Sequence, residues 1–389
     1  MTGRPPAPLR VAMIGHGFMG AAHSQGWRTA PRMFDLPRAV EMSVVVGRNP
    51  ETTRRSAEKY GWLTSATDWR AVVERDDIDV VDIVASGEAH AEIAITALKA
   101  GKHVLCEKPL ANTVAEAEAM ADAARASTGL AMVGFTYRRV PAVQLARQLV
   151  ADGKIGAVRQ ARAAYLQDWL SDENAPLTWR LKKESAGSGA LGDLGAHIVD
   201  AVQFVTGESL TAVSGTLRTF VHQRPLVDRS VGLTGTASGT DLGEVTVDDA
   251  AIFSGELSGG GLATFEATRF AAGRKNGLRW EISGSAGALA FDLEDLNVLE
   301  YFRFDDGDTA GFRRILVTEP SHPYVAAWWP AGHMLGYEHG FSHQVVDLVT
   351  AIAAGKQPRP SFEDGLQVQR VLDAVERSSG DRARWTSVG

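Results

Sequence analysis

The chain has 389 residues, of which 44% are hydrophobic and 22% are charged, and its formal net charge is -7 at pH 7. This balance excludes an intrinsically disordered protein, and the length predicts two domains, each large enough to bury a core. Because no basic segment is present to neutralise phosphates, we expect neither nucleic acid nor a membrane as partner, and we expect small-molecule chemistry instead.

The N-terminal segment and the cysteine content bear on location. Met1 to Pro8 is polar, contains three prolines and lacks the apolar stretch of a secretory signal. The sequence also lacks the run of roughly 18 apolar residues that a membrane span needs. One cysteine, Cys106, permits no intrachain disulfide and fits a reducing compartment. We therefore expect a cytoplasmic protein.

From Leu9 to about Tyr137, short apolar strands alternate with helical segments. The predicted strands are Leu9–Gly15, Val40–Gly47, Val80–Ala85, His103–Cys106 and Ala131–Phe135. The predicted helices between them are Met19–Arg28, Glu51–Tyr60, Ala89–Ala100 and Val114–Ala126. Such alternation indicates βαβ units, so we predict an α/β fold whose first domain, residues 1–137, is a doubly wound parallel sheet of Rossmann type. Ligands of such a sheet bind at the carboxyl ends of its strands.

After Pro141 the pattern changes to strands that follow one another without helices between them. A helix to about Ala151, a strand Val158–Leu166 and a Gly-punctuated helix Ser188–Val205 lead into this region. Further strands are predicted at Thr211–Phe220, Asp249–Leu257, Gly261–Thr268, Leu278–Gly284 and Ala288–Asp292, a polar surface loop at His222–Glu244, and closing helices at Tyr337–Ala354 and Phe362–Ser378. We therefore predict that residues 138–389 form an α+β domain with a large, mostly antiparallel open sheet.

The first predicted strand runs directly into Gly15-His16-Gly17-Phe18-Met19-Gly20 and then into a helix. In this strand–turn–helix context, G-x-G-x-x-G is typical of a dinucleotide site. Gly15 allows the tight turn, Gly17 lets the pyrophosphate approach the backbone, and Gly20 lets the helix pack on the strand. The amides of the helix N-terminus, which includes Phe18 and Met19, would bind the phosphates. A glycine-rich turn without a ligand is the alternative.

The end of the second strand bears on the choice between NAD and NADP. An NAD site normally places an acidic residue there to accept from the ribose hydroxyls, whereas this chain has Gly47, Arg48 and Asn49. No carboxylate would repel a 2′-phosphate and Arg48 could bind one, so NADP is slightly favoured over NAD. The alternative is a solvated Arg48 on a turn, with NAD as the cofactor.

Two clusters carry residues suited to acid–base chemistry. Glu107, Lys108 and Pro109 end the fourth strand, which places Lys108 at the rim of the expected cofactor cleft. Asp193 and His197 are four residues apart and share one face of their predicted helix. We predict His197 as general base for a substrate hydroxyl, Asp193 as the group that orients the hydroxyl or the imidazole, and Lys108 as the group that holds the reacting oxygen. Seen separately, the turn could be merely solvated and the histidine merely structural.

Together these residues resemble the Gfo/Idh/MocA family, named after glucose–fructose oxidoreductase, inositol dehydrogenase and rhizopine catabolism. The Gly15 to Gly20 loop, the Glu107-Lys108-Pro109 turn and Gly192-Asp193-x3-His197 match its motifs in order and spacing. The resemblance spans nearly the whole chain and implies that Lys108, Asp193 and His197 form the catalytic set. It also implies an NAD(P)-dependent enzyme for a sugar, anhydrosugar or cyclic polyol, assembled through the open sheet as a homodimer or homotetramer.

Other segments resemble the branch of this family that contains levoglucosan dehydrogenase and its sugar dehydrogenase relatives. They are Tyr165-Leu166-Gln167-Asp168-Trp169, Trp179-Arg180, Gly187 to Asp193, Glu266-Ala267-Thr268-Arg269 and His322-Pro323-Tyr324. Aromatic rings cover the C–H faces of sugars, and Gln or Arg side chains bind hydroxyls. We therefore predict Tyr165, Gln167 and Arg180 as substrate contacts, with core packing as the alternative for the aromatic residues.

One motif departs from the family pattern. Where the family has Thr-Pro-Asn-x-x-His after the third strand, this chain has Ala85-Ser86-Gly87-Glu88-Ala89-His90. His90 is kept, and we predict Ser86, His90, Glu107 and Lys108 as contacts of the cofactor. Without the Pro and the Asn, the usual borders of the nicotinamide ring are missing.

The family resemblance also implies two alternatives to hydride transfer. The family also contains glycosidases that oxidise the sugar transiently and retain their cofactor, and regulators that sense a cofactor without catalysis. Retention of Lys108, Asp193 and His197 argues against a sensor. We expect no metal, because His339 and His343 lie at helical spacing without an H-E-x-x-H motif or a cysteine cluster.

Overall fold

The computed structural model describes residues 7–226, 229–231, 234–236 and 241–389. The chain divides into two compact units. The first runs to Thr136 and also contains Tyr337–Leu366, whereas the second comprises Tyr137–Gly336 and Gln367–Gly389.

The helices and strands of the described residues are numbered in chain order. The strands are β1 (Leu9–Ile14), β2 (Val40–Val46), β3 (Thr64–Ala66), β4 (Val80–Ile83), β5 (His103–Cys106), β6 (Ala131–Val133), β7 (Val158–Leu166), β8 (Leu210–Arg218), β9 (Gln223–Pro225), β10 (Arg229–Val231), β11 (Thr234–Thr236), β12 (Leu242–Glu244), β13 (Ala250–Leu257), β14 (Leu262–Thr268), β15 (Gly277–Gly284), β16 (Gly287–Asp292), β17 (Val298–Arg303), β18 (Arg313–Leu316) and β19 (Thr386–Ser387). The α-helices are α1 (Phe18–Met33), α2 (Pro50–Tyr60), α3 (Trp69–Val73), α4 (His90–Lys99), α5 (Val114–Ala126), α6 (Pro141–Ala151), α7 (Lys183–Ala186), α8 (Ala196–Thr206), α9 (His339–Ala354) and α10 (Phe362–Gly380).

The sheet of the first unit has the order β3-β2-β1-β4-β5-β6, and every neighbouring pair is parallel. Its inner strands are mostly apolar and almost wholly buried, as a parallel sheet covered on both faces requires. Successive strands are added on one side of β1 up to β3 and on its other side from β4 onwards. Sheets of this kind bind ligands at the point between β1 and β4 where the strand order switches. The predicted Rossmann sheet is therefore confirmed. The short, polar strand β3 was not predicted.

Helix α9 belongs to the first unit, although the sequence analysis assigned every residue after 137 to the second domain. Its apolar side chains Val345, Leu348, Val349 and Ile352 join the core cluster around β1. The helix approaches α1 closely, since a Cβ on Gly26 would lie 2.8 Å from the Phe341 carbonyl oxygen. Hydrophobic periodicity shows that one face of α9 is buried, but it does not show against which unit.

The second unit contains a nine-stranded sheet of order β18-β17-β16-β15-β7-β14-β13-β8-β19, in which only β7 and β14 pair in parallel. The predicted, mostly antiparallel sheet is therefore confirmed, and β17, β18 and β19 extend it. Alternate residues form one buried face, where Phe253 stacks on Phe265 at 4.6 Å. The opposite face carries Ile252, which is 61% exposed, and an ion pair between Arg162 and Glu281 at 2.7 Å.

The segment His222–Glu244 is not the continuous loop that its polar composition predicted. Strand β9 pairs with β12, and β10 pairs with β11, both in antiparallel fashion. Buried Arg224 explains part of this order, because its guanidinium donates to the carbonyl oxygens of Leu170 at 2.9 Å and Asp172 at 2.7 Å. Residues 227–228, 232–233 and 237–240 of this prediction, and residues 1–6 of the N-terminal segment, lie outside the described residues.

Candidate active site

The loop between β1 and α1 has the geometry that a dinucleotide needs. Gly15 has a φ of +103°, and a Cβ there would lie 2.7 Å from the Val84 carbonyl oxygen. A Cβ on Gly17 would instead meet no atom of the described residues within 4 Å. Gly17 is the N-cap of α1, which has neither a side-chain cap nor an acidic residue in its first turn. The first amides of α1 are therefore available to an anion such as a pyrophosphate.

The other residues of this loop, Phe18, Met19 and Gly20, differ in which of their atoms a ligand could reach. A Cβ on Gly20 would lie 3.2 Å from the Gly15 carbonyl oxygen, so glycine permits the close packing of α1 on the loop. Met19 packs against the core of the unit, which leaves its amide rather than its side chain for a ligand. Phe18 is 50% exposed, and its ring stacks with Tyr337 at 6.3 Å.

At the end of β2, the imidazole of His16 covers Gly47. A Cβ on Gly47 would lie 2.3 Å from this ring, so only glycine fits there. The ring nitrogens of His16 contact the hydroxyls of Thr53 at 3.1 Å and Ser56 at 3.2 Å. Arg48, the next residue along the chain, is exposed. A flat ring and an accessible guanidinium therefore lie together where the ribose end of a dinucleotide is expected.

Two of the predicted cofactor contacts have local structural partners. The side chain of Asn49 caps α2 by accepting a hydrogen bond from the Thr52 amide at 3.0 Å. Ser86 precedes a short 3-10 turn, and its hydroxyl donates to Glu88 at 3.2 Å. Their contact with a cofactor stays a prediction.

Lys108 follows β5 in a turn that His90 holds in place. The two ring nitrogens of His90 contact the carbonyl oxygens of Pro109 at 3.1 Å and Ala85 at 3.2 Å, and the Lys108–Pro109 bond is cis. Burial lowers the pKa of His90, which is 2% exposed. His90 thus joins the turn after β5 to the end of β4, and its role as a cofactor contact stays a prediction. Lys108 itself is half-buried.

The register of the sheet aligns the ends of these four strands. Ile14 pairs with Val46 and with Ile83, and Ile83 pairs with Cys106. The glycine loop, the Gly47–Asn49 segment, the Ser86–His90 segment and the Lys108 turn therefore all leave the same edge of the sheet. The structure thus brings together all the predicted cofactor residues at the carboxyl ends of the strands.

Beneath the Lys108 turn lies a buried charged cluster that the sequence analysis did not find. His23 on α1 contacts Asp82 of β4 through Nδ1 at 2.9 Å and Glu107 through Nε2 at 2.9 Å. Asp82 also accepts a hydrogen bond from the Trp27 indole at 2.7 Å. Burial alone would lower the pKa of His23, but the two carboxylates raise it to about 10. The imidazole of His23 therefore bridges α1, β4 and the residue that precedes Lys108 through two carboxylates.

In the second unit, Asp193 and His197 lie on either side of a change in helical geometry. Leu191–Gly195, which contains Asp193, forms a π-helical turn, and α8 begins at Ala196. The prediction of a helix is confirmed, but its first turn is wider than an α-helix. Such turns occur often at functional sites. Both side chains are half-buried.

Arg269, at the end of β14, holds Asp193. Its Nη2 donates to Asp193 Oδ2 at 3.1 Å and to the Gly189 carbonyl oxygen at 3.0 Å. The arginine side chain is 1% exposed and that of Asp193 is 31% exposed, so the pair is partly shielded from water. Arg269 also lies over the Trp169 ring at 5.3 Å. The buried guanidinium therefore holds the Asp193 carboxylate in one orientation.

The predicted sugar contacts are linked to this pair by hydrogen bonds. Tyr165 donates to Asn276 Oδ1 at 2.7 Å, and Gln167 Nε2 donates to the same oxygen at 2.9 Å. Gln167 in turn accepts a hydrogen bond from the Trp169 indole at 2.9 Å. The ring of Tyr165 meets that of His197 at 5.7 Å. This chain of contacts runs from His197 to Trp169 and so to Arg269.

Tyr137 and Arg180 complete the cluster. The Tyr137 ring lies 4.7 Å from that of His197, and its hydroxyl is 3.0 Å from that of Tyr165. Arg180 stacks over Trp179 at 4.4 Å. Burial lowers the pKa of Arg180. The negative charge of Asp193 raises this pKa and the positive charge of Arg269 lowers it, so both groups lie close to Arg180. The structure therefore brings together all five residues predicted in this unit: Tyr165, Gln167, Arg180, Asp193 and His197.

Several members of these clusters were missed by sequence reasoning. Trp169 and Arg269 stand within motifs that were noted, but no role was given to them. His23, Tyr137 and Asn276 carried no local signal, because their importance depends on contacts with distant parts of the chain.

No group of three or more His, Cys, Asp or Glu side chains is arranged to hold a metal ion in the described part of the chain. Among the same residues, no helix is long and apolar enough to cross a membrane.

Comparison with known proteins gives matches over both units. Residues 9–135 match the model of the oxidoreductase family with NAD-binding Rossmann fold, and residues 143–290 match that of the GFO/IDH/MocA C-terminal domain. The chain is 40% identical to levoglucosan dehydrogenase from Pseudarthrobacter phenanthrenivorans, over 98% of both chains.

Two solved structures are similar over nearly the full length. An oxidoreductase domain protein from Kribbella flavida is 61% identical, with a TM-score of 0.94 over 99% of this chain and 100% of that one. Levoglucosan dehydrogenase in complex with NADH and levoglucosan is 39% identical, with a TM-score of 0.92 over 98% of this chain and 99% of that one.

Proposed function

The chain belongs to the Gfo/Idh/MocA family of NAD-binding oxidoreductases, and on that premise we propose that it oxidises a ring hydroxyl of a sugar, anhydrosugar or cyclic polyol, or reduces the corresponding ketone. The observation that carries this proposal is the Asp193–His197 cluster, lined by Tyr165 and Gln167, in a chain that also retains Lys108. Relatives of sugar dehydrogenase type support the substrate class, since one was solved with NADH and levoglucosan.

The first unit would hold the cofactor at the carboxyl edge of its sheet. The open space at Gly17 and the uncapped start of α1 fit a pyrophosphate. When bound, the nicotinamide accepts or delivers the hydride. All other steps fall to side chains of this chain.

We assign the acid–base work to three residues that come from the two units. His197 takes the proton of the substrate hydroxyl as the hydride leaves, and the neighbouring Asp193 orients that hydroxyl or the imidazole. The ammonium of Lys108 donates to the same oxygen and stabilises its developing negative charge. These roles require that Lys108 and the Asp193–His197 pair meet at one substrate.

The sugar contacts follow from the polar network of the second unit. Tyr165, which is 3% exposed, offers its hydroxyl, Gln167 offers an amide, and Arg180 offers a guanidinium to the oxygens of a sugar. Tyr137, which lies against both Tyr165 and His197, joins this proposed set.

For the cofactor we propose that both NAD and NADP bind, with Arg48 giving NADP a small advantage. The exposed guanidinium at the end of β2 and the lack of a carboxylate in Gly47–Asn49 support NADP. The family model and the NADH complex of the relative support NAD.

We further propose a homodimer or homotetramer formed through the open face of the nine-stranded sheet. The exposed side chain of Ile252 on that face supports this assembly. The single, buried Cys106 supports a reducing, cytoplasmic location.

The experiment is a panel of pyranoses, anhydrosugars and inositols supplied with each cofactor, followed by nicotinamide absorbance. We expect reduction of the cofactor with at least one class, and we expect Lys108→Ala and His197→Ala to lower kcat by at least about 100-fold. Exposed Lys99 and His333 provide matched controls, since Lys99→Ala and His333→Ala remove the same groups elsewhere. Unchanged activity in the first two variants would refute the roles. Release of sugar from an aryl glycoside without net cofactor reduction would favour the glycosidase instead.

A further inference from the structure

His23 lies between two buried carboxyl groups, which favour its protonated form. Both ring nitrogens lie 2.9 Å from carboxylate oxygens, Nδ1 from Asp82 and Nε2 from Glu107. A neutral imidazole has one donor and one acceptor, so one of its nitrogens would face a carboxylate with a lone pair. With both carboxylates ionised, only the imidazolium donates to each of them. The high pKa of about 10 agrees with this geometry.

Among the residues that the structure describes, the other neighbours of His23 add no further charge. The Trp27 indole donates to Asp82, and the Phe341 ring lies 5.4 Å from the imidazole. His23, Asp82 and Glu107 are each at most 5% exposed. Without the imidazolium, two carboxylates would be buried together with no compensating charge, a costly arrangement.

Glu107 connects this cluster to Lys108. One carboxylate oxygen of Glu107 contacts His23, and the other accepts a hydrogen bond from the Lys108 amide at 3.2 Å. The Glu107 amide donates to the Ile83 carbonyl oxygen at 2.9 Å, which fixes the start of the turn to β4. The orientation of the Glu107 carboxylate therefore acts on the backbone from which Lys108 extends.

We propose that His23 is a positioning residue for Lys108: as an imidazolium it fixes the Glu107 carboxylate between α1 and β4, and so sets the turn that carries the lysine. The inference rests on the proposed function, because the task of Lys108 is part of that function. His23 touches neither substrate nor cofactor in this role. Its effect should therefore fall on kcat rather than on cofactor affinity.

The test replaces His23 by glutamine in the full-length protein. We expect His23→Gln to lower kcat by about tenfold or more, with the NADH dissociation constant changed by less than about threefold. Because both residues act through one carboxylate, His23→Gln combined with Glu107→Gln should cost no more than the worse single variant. His103→Gln is the matched control, since His103 lies at the opposite end of β5.

A second measurement does not depend on turnover. Reductive ¹³C-methylation labels lysines, and the Lys108 resonance is assigned by its absence in Lys108→Arg. We expect His23→Gln to shift or broaden this resonance and His103→Gln to leave it unchanged. If the wild-type protein has no dehydrogenase activity but the Lys108 resonance still changes in His23→Gln, the proposed function is refuted. The positioning role of His23 is then still supported.

The inference would be overturned by an unchanged kcat and an unchanged Lys108 resonance in His23→Gln. If that variant does not fold, ¹⁵N spectra of the wild-type protein at pH 8 measure whether each ring nitrogen of His23 carries a proton. Two protonated nitrogens on His23 support the proposal, and one unprotonated nitrogen contradicts it.

Discussion

Arg269 donates a hydrogen bond to Asp193 at 3.1 Å from a guanidinium that is 1% exposed. The pair ties the end of β14 to the π-helical turn that precedes α8. Among the described residues, Nε and Nη1 of Arg269 have no hydrogen-bond partner, so part of its desolvation is uncompensated within the chain. The remaining nitrogen, Nη2, makes the contact with Asp193, so the arginine is placed to orient that carboxylate.

Arg269→Met keeps the bulk of the side chain and removes the charge. We expect the unfolding free energy to fall by about 2 kcal/mol, because the hydrogen bonds to Asp193 and to the Gly189 carbonyl oxygen are both lost. Removal of the two unsatisfied buried donors offsets part of this loss. We expect kcat/KM for the sugar to fall by at least about tenfold. Urea unfolding and steady-state kinetics measure both effects. Arg274→Met, at an exposed neighbour, is the control, and equal kinetics in the two variants would argue against the orienting role.

Gly15 and Gly17 should respond differently to alanine. Gly15→Ala places a methyl group 2.7 Å from a carbonyl oxygen at a positive φ, so the protein should lose about 2 kcal/mol or more of stability. Gly17→Ala meets open space in the protein, so stability should be unchanged while NADH affinity falls by about tenfold or more. Thermal unfolding and fluorescence titration with NADH separate the two effects. Equal NADH affinity in Gly17→Ala and wild type would contradict the assigned phosphate site.

Arg48→Ala tests the choice of cofactor. Removing the guanidinium should lower kcat/KM with NADP by about tenfold and leave the value with NAD nearly unchanged, because only NADP carries the 2′-phosphate. Arg54→Ala on α2 is the matched control, since Arg54 is exposed and paired with Glu58. An equal fall of kcat/KM with both cofactors would show that Arg48 does not bind the 2′-phosphate.

The stability of the protein should depend on pH through His23. Its pKa is raised from 6.5 to about 10 on folding, so its protonated form stabilises the folded state. That contribution is complete below pH 6.5 and is lost as the pH rises towards 10. The unfolding free energy should decline over this interval by on the order of a few kcal/mol, and His23→Gln should lack this decline. Urea unfolding at a series of pH values provides the measurement, and equal slopes would count against a charged His23.

Local patterns predicted much of the fold. Strand–helix alternation predicted the parallel sheet, and the glycine loop, Lys108, Asp193 and His197 lie in short motifs that can be recognised without a structure. The membership of α9 in the first unit could not be predicted, since an amphipathic face does not identify its partner. The strands of the His222–Glu244 segment were missed for a similar reason, as buried Arg224 orders them from outside the segment.

The supporting residues of the site were beyond the reach of sequence reasoning. His23 meets Asp82 and Glu107 across 59 and 84 residues of chain, and Arg269 meets Asp193 across 76. Nothing in the neighbouring sequence marks these contacts. The charged groups that we propose as orienting residues are therefore found only in the structure, whereas the residues that we propose for the chemistry lie in recognisable motifs.

The central claim is that Lys108 and the Asp193–His197 pair act on one ring hydroxyl while its carbon gives up a hydride. The most direct measurement follows deuterium to the oxidised cofactor in a single turnover, from the ring-deuterated form of whichever substrate the panel identifies. The account predicts deuterium in the reduced cofactor with the wild type, and transfer at least about 100-fold slower in Lys108→Ala and in His197→Ala, with NADH affinity retained. Transfer at the wild-type rate in either variant would contradict it.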